Sequence, residues 1–215
     1  MKKFVSELKI YDPEVVPQAD FTVDSGVSTL NLTSAAHGLK DGNVVVLTVT
    51  SVAGDALPTG LEELTRYYVV NETADTFQLS ETLGGAPVAF SDDGQGTFTY
   101  NLKGKVLYVA DFDDIVLTMH TKDNANLTFK VLGSASEEMP NFFVAKTSDN
   151  MYDTIQLKDL EDNIGVDGDD GVAIAGTDDV RQFELNTNGI HYLTAEITAY
   201  TAGNLGLSAT LYERE

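Results

Sequence analysis

The sequence predicts an all-β protein: a small β-barrel or sandwich module followed by a larger antiparallel β-sandwich of jelly-roll type. Three observations predict it. Apolar and polar residues alternate with period two along most of the chain. Helical periodicity is nearly absent, its best window being residues 59–65, about two turns. Turn signals built from Gly, Asn and Asp recur at short intervals. Leu193, Ala195, Ile197 and Ala199 fall on one face of a strand, with Thr194, Glu196 and Thr198 on the other. A strand patterned this way buries one face and wets the other, as antiparallel sheets do.

Residues 1–20 mix charges with Pro13 and Pro17. Proline fixes the backbone and donates no ladder bond, so an extended arm is expected here. The arm carries Phe4, Val5, Leu8, Ile10, Val15 and Val16, together with Lys2, Lys3 and Lys9. These apolar residues are the candidate partner-binding set, acting by strand addition to a neighbour. The alternative is a strand of the protein's own sheet.

Residues 21–102 form the first module. Strands are expected at 28–33, 44–50, 67–71, 76–81 and 97–100, with turns at His37-Gly38, Asp41-Gly42 and Gly84-Gly85 and a loop over 53–64. Lys103-Gly104-Lys105 is the joint. Residues 103–215 form the second unit, expected to fold without the first. Its strands are expected at 106–110, 115–121, 127–132, 142–145, 154–157, 181–186, 191–200 and 205–212.

The 215 residues include 34 acids and 13 bases, a net charge of -21. Such a field repels phosphate backbones and anionic lipid, so neither nucleic acid nor membrane is an expected partner. There is no cysteine, which rules out disulfides and thiolate metal sites and fits assembly in a reducing cytosol. No apolar run reaches signal-peptide or membrane-spanning length.

No motif for nucleophilic catalysis, phosphate cradling or dinucleotide binding is present, so no catalytic residue and no cofactor is expected. His37, His120 and His191 are widely spaced and read as structural. His37, ahead of Gly38, is expected to bond backbone in its turn. Asp167, Asp169 and Asp170 are weak metal candidates in a stretch shaped superficially like a calcium loop. An EF-hand needs an acid at the fifth position and glycine at the sixth. Gly171 and Val172 stand there instead, so a solvated loop is the expected reading. Tyr67, Tyr68, Tyr100, Tyr108, Tyr152, Tyr192, Tyr200 and Tyr212 are read as interface residues ahead of a sugar-stacking platform.

His37-Gly38-Leu39, Gly42, the valine strand that follows, Leu57 to Leu61, Tyr67-Tyr68-Val69, Thr76 to Ser80, Gly84-Gly85 and Gly94 to Thr97 form a connected pattern. It resembles a β module of tailed-bacteriophage virion proteins. Asn43 departs from it, standing where aspartate is usual. The match covers about residues 28–100. The second unit resembles, more loosely, the β-sandwich of phage decoration and fibre proteins, over residues 127–160 and 181–213. The resemblance implies a non-enzymatic virion component assembled in the host cytoplasm. Its implied role is a head decoration protein, bound to the major capsid protein as a homotrimer. The alternatives are a tail, neck or fibre component, or a carbohydrate-binding adsorption module.

Overall fold

The protein is described by a computed structural model covering residues 2–24, 31–50, 52–112, 114–187 and 189–214. It is all-β, without a helix among the described residues. The chain forms two compact units. One joins residues 1–14 to residues 104–215, and the other is residues 15–103. In chain order the strands are β1 (Lys2–Tyr11), β2 (Gln18–Asp24), β3 (Asn31–Thr33), β4 (Val44–Val49), β5 (Arg66–Val70), β6 (Thr76–Ser80) and β7 (Phe98–Lys103). They continue with β8 (Leu107–Tyr108), β9 (Asp114–Ser134), β10 (Asp153–Thr154), β11 (Leu157–Asp159), β12 (Gly165–Val166), β13 (Val172–Ala175), β14 (Val180–Asn186) and β15 (Tyr192–Arg214).

The smaller unit is a closed antiparallel barrel in the order β2-β3-β6-β5-β4-β7, with β7 returning to β2. Closure leaves no bare edge. The period-two pattern sets its inside: Val45 and Leu47, Tyr67 and Val69, Phe77 and Leu79, and Phe98, Tyr100 and Leu102 are all buried. Phe77 is the hub. Its ring lies 5.7 Å from Tyr100, 6.3 Å from Phe21 and 5.2 Å from His37, each in edge-to-face geometry. The hairpin of β5 and β6, with Val69 opposite Leu79, is a wall of this barrel.

The larger unit is one sheet in the order β1-β15-β9-β14-β11-β12, with β10 and β13 also on β9 and β8 on β15. Its spine is the pair β9 and β15, 21 and 23 residues long. The pair is folded at its middle. Phe183 of β14 stands opposite Leu117 on β9. Phe129 lies twelve residues further along β9, about 40 Å away in a straight strand. Yet the rings of Phe129 and Phe183 sit 6.4 Å apart, edge to face. The two halves of the ribbon are therefore laid face to face, giving a sandwich-like core from one hydrogen-bonded sheet. Both phenylalanines are fully buried, each contributing roughly 1.5–3 kcal/mol by area.

The fold in the ribbon has local causes. Asp123 and Asn124 of β9 have positive φ, as does Gly203 of β15. Register shifts in the β9–β15 ladder cluster between Ile197 and Asn204, opposite these residues. Bulges of this kind bend a strand without ending it. Side-chain alternation keeps its phase through the bend, with Thr121 and Ala125 both buried.

The structure corrects the expected arm. Residues 2–11 are an antiparallel strand, with Lys2 opposite Arg214 and Tyr11 opposite Leu207. The barrel is thus inserted after the first strand of the larger unit. Residues 15–20, placed in the arm, belong to the barrel. The Tyr11 hydroxyl donates to the Ala195 carbonyl at 3.1 Å, and burial pushes it well above its ordinary pKa, so it stays a neutral donor. Of the other expected strands, 115–121 and 127–132 merge into β9, and 191–200 and 205–212 into β15. The segment 142–145 is a turn: the Asn141 carboxamide accepts the Phe143 N–H at 3.0 Å, closing an Asx turn after Pro140. The expected strand at 28–33 is described only from Asn31.

Candidate interaction surfaces

The residues that carry the module pattern are framework of the barrel. The His37 carbonyl accepts the Val16 N–H at 3.0 Å, and its Nδ1 accepts the Leu39 N–H at 2.9 Å. The expected backbone bonding of this histidine is present. The Tyr67 hydroxyl accepts the Glu62 N–H at 2.9 Å, tying the Leu57–Leu61 turn to the wall. The Asp92 carboxylate accepts from the Thr59 N–H at 3.2 Å and the Gly94 N–H at 3.0 Å. The Thr59 side chain most of all, then the Thr59 and Gly94 N–H groups, hold its carboxyl below the ordinary aspartate range. These bonds close turns of the barrel.

With Nδ1 accepting, the His37 proton sits on Nε2, which is buried without a partner at hydrogen-bond geometry. Desolvation by burial lowers its pKa. The Thr76 carbonyl, the Asp75 carboxylate and Glu72 only partly offset that, and Lys40 adds to the lowering. The folded barrel therefore disfavours the protonated His37, while the unfolded chain takes up a proton near pH 6.5. Stability falls as pH drops below that value, by at most about 1.4 kcal/mol per pH unit, until the folded-state pKa is passed. His37→Asn keeps an acceptor near the Nδ1 position and cannot charge. Urea midpoints of the barrel at pH 7 and pH 5 are expected to fall further for the wild type than for this variant.

The candidate anchor residues do not form one free surface. Ile10 is 4% exposed and Val15 is 3% exposed, and they sit in different units. Leu8 and Val16 are half-buried. Phe4 and Val5 lie on β1, but their side chains are outside the described part. The ladder to β15 has taken the strand expected for a neighbour, although β1 remains an edge of the sheet.

Asp167, Asp169 and Asp170 lie on the turn between β12 and β13. The Asp167 carboxylate accepts the Asp169 N–H at 2.9 Å, and Asp169 accepts the Thr154 hydroxyl at 2.7 Å. Among the described residues, no group of three or more acidic or histidine side chains is placed to hold a metal ion. The tyrosines also divide. Tyr67 and Tyr100 fill the barrel core, and Tyr108 is exposed, packed edge to face on Tyr192 at 5.5 Å. An interface reading fits Tyr108 and not the buried pair.

A groove that sequence reasoning did not find lies at the end of β9 in the larger unit. Its volume is about 730 Å³, between the end of β9, β10 and residue 190. Ile155 and Ile190 occupy the space that a Cβ on Gly133 would need, at 2.4 and 3.3 Å from it. Above them the loop 135–152 is tied to itself. The Tyr152 hydroxyl donates to the Val144 carbonyl at 2.7 Å, and its ring lies 5.2 Å from Phe142. The Ser134 hydroxyl donates to the Met151 carbonyl. Lys146 pairs with Asp153 at 2.7 Å, which holds the carboxyl below and the ammonium above their ordinary values. On this loop Met139, Val144 and Met151 are 54%, 48% and 59% exposed.

No family model and no curated protein matches the chain. Two solved structures show a distant likeness. PBSX exported protein XepA aligns over 99% of this chain and 86% of its own, at 8% identity and a TM-score of 0.37. The K1 cleaved adhesin domain of Lys-gingipain from Porphyromonas gingivalis aligns over 87% of this chain and 100% of its own, at 14% identity and a TM-score of 0.27. Neither score reaches the level at which a shared fold follows, so fold and function rest on the residues of this chain itself.

Proposed function

We propose that the protein is a non-enzymatic structural component of a tailed-phage particle, a head decoration protein that binds the major capsid lattice as a homotrimer. The observation that carries this reading is where the module pattern falls. Residues that resemble the phage virion module, from His37-Gly38-Leu39 to Gly94, make turns and walls of a closed barrel. A module kept for its shape fits a particle surface. The larger unit adds a long β1 edge, which is a means of joining to a lattice. A net charge of -21 keeps such a protein dispersed until it meets its lattice.

Sedimentation of the full chain with empty capsids of the phage that encodes it tests the proposal. The protein is expected to pellet with the capsids at a saturating ratio, in 150 mM and in 500 mM salt, and to have the mass of a trimer in light scattering. Protein left in the supernatant beside intact capsids would sink the decoration reading. Micromolar binding on a glycan array under the same conditions would favour the adsorption module.

A further inference from the structure

The groove at the end of β9 adjoins a second hollow of about 320 Å³, and the two share Asp153, Thr154 and Gln156. We propose that together they form one binding site for an extended segment of a partner protein in which a bulky aliphatic side chain lies next to a lysine or arginine. This inference stands apart from the capsid reading.

The groove supplies the apolar half. Its volume falls within the roughly 300–1,000 Å³ usual for ligand sites. Ile155 and Ile190 are half-buried over Gly133, leaving apolar surface open to a side chain. The exposed Met151 lines the same groove, and the exposed Val144 stands beside it, its carbonyl bonded to the Tyr152 hydroxyl. Methionine surfaces adapt to irregular side chains, and an apolar patch rimmed by polar groups marks an interaction site.

The hollow supplies the polar half. A Cβ on Gly168 would meet the Ile155 backbone at 2.9 Å, so the acidic turn lies directly against the groove wall. That close approach brings Asp167 and Asp169 to the hollow's rim. Their carboxylates are held in place by the Asp169 N–H and the Thr154 hydroxyl, and each keeps spare acceptor capacity. The basic side chain among the described lining residues is Lys146, and Asp153 already pairs with it. Lys146 also attracts Asp169, but the hollow's three carboxylates, of Asp153, Asp167 and Asp169, outnumber that one base. An anionic ligand is repelled. A purely apolar ligand would strip water from these carboxylates with nothing in return. A lysine or arginine beside an aliphatic residue satisfies both halves, and strand spacing of about 3.3 Å per residue lets neighbouring side chains span them.

The test uses the full chain and a fluorescein-labelled peptide, Gly-Leu-Lys-Leu-Lys-Gly, followed by anisotropy in 150 mM salt. Binding is expected, weakened about tenfold by Asp167→Asn with Asp169→Asn and by Met151→Asp. Glu81→Gln with Glu161→Gln, which removes two exposed acids elsewhere, is expected to leave it unchanged. Peptides with serine for leucine, or glutamate for lysine, are expected to bind at least tenfold more weakly to the wild type. Those peptide arms decide the matter even where a variant fails to fold. No binding of the first peptide up to 1 mM overturns the proposal. So does equal binding by the serine peptide, which reduces the effect to charge alone. Equal loss from the two distant substitutions would mean that the peptide reads only the protein's overall field.

Discussion

Gly203→Val is expected to unfold the larger unit. Gly203 has φ +80° at the fold of the ribbon, and a Cβ there would lie 2.4 Å from Ala125 Cα and 2.6 Å from the Lys122 carbonyl oxygen. Both obstacles are backbone, so no side-chain rotation relieves them. Valine adds a β-branched carbon at a dihedral such residues avoid. The choice is then between losing the bend and losing the edge-to-face packing of Phe129 on Phe183. Either costs several kcal/mol, a large share of the roughly 5–15 kcal/mol that holds a domain together. Calorimetry should show the larger unit's transition lost or shifted far down, with the barrel's transition in place. Gly176→Ala is the control. Its φ is +67°, no atom lies within 4 Å of the added carbon, and the expected cost is about 1 kcal/mol. A Gly203→Val protein that melts like this control would mean that the ribbon does not fold at that point.

The second large effect is expected from a chain that starts at Val15. Such a chain keeps the whole barrel and deletes β1. It strips β15 of its ladder from Leu207 to Arg214 and removes the buried Ile10 and Tyr11 side chains from the larger unit. The Ala195 carbonyl also loses the Tyr11 hydroxyl inside the protein, and an abandoned buried acceptor costs about 1–3 kcal/mol by itself. With two large side chains gone as well, the larger unit is expected to lose several kcal/mol or to stay unfolded. Amide spectra should keep the dispersed peaks of the barrel and lose those of residues 104–214. The same reasoning revises the expected independence of residues 103–215, since β1 belongs to that unit. A chain from Val15 whose larger unit melts as the full protein's does would show that β1 adds no stability.

Period-two alternation made the strands legible wherever one face is buried. It failed where geometry departs from a straight strand. Residues 122–125, Lys-Asp-Asn-Ala, fall between two expected strands, and Asp123 and Asn124 favour turns. In the fold they are a bend inside one strand, and the ladder on both sides keeps it in the sheet. Residues 142–145 read as a strand from Phe142, Phe143 and Val144, yet a local side-chain bond from Asn141 wins over β propensity there. β1 is the alternative the sequence offers for residues 1–20, ranked below an arm because prolines at 13 and 17 lie just beyond it. The barrel's turn residues were visible as a pattern, and their bonding explains each of them. The groove was not visible at all. It is assembled from residues 133–156 and 190, and two glycines let its neighbours approach, Gly133 within it and Gly168 on the turn against its wall, which no spacing rule announces.

The pairing of β1 with β15 also sets an order of events during synthesis. Tyr11 meets Leu207, 196 residues downstream, so β1 leaves the ribosome long before its partner exists. At roughly 5–20 residues per second the wait is roughly 10–40 s. The barrel, whose strands all lie within residues 15–103, can close during that interval. β1 is meanwhile a nascent segment tethered to a finished domain, with its backbone donors and acceptors open to any passing strand. A growing polysome holds many such segments side by side, each carrying Lys2, Lys3 and Lys9. Set against the single Glu7 of β1, these lysines leave the segment net positive, and like net charge disfavours pairing between neighbouring nascent chains.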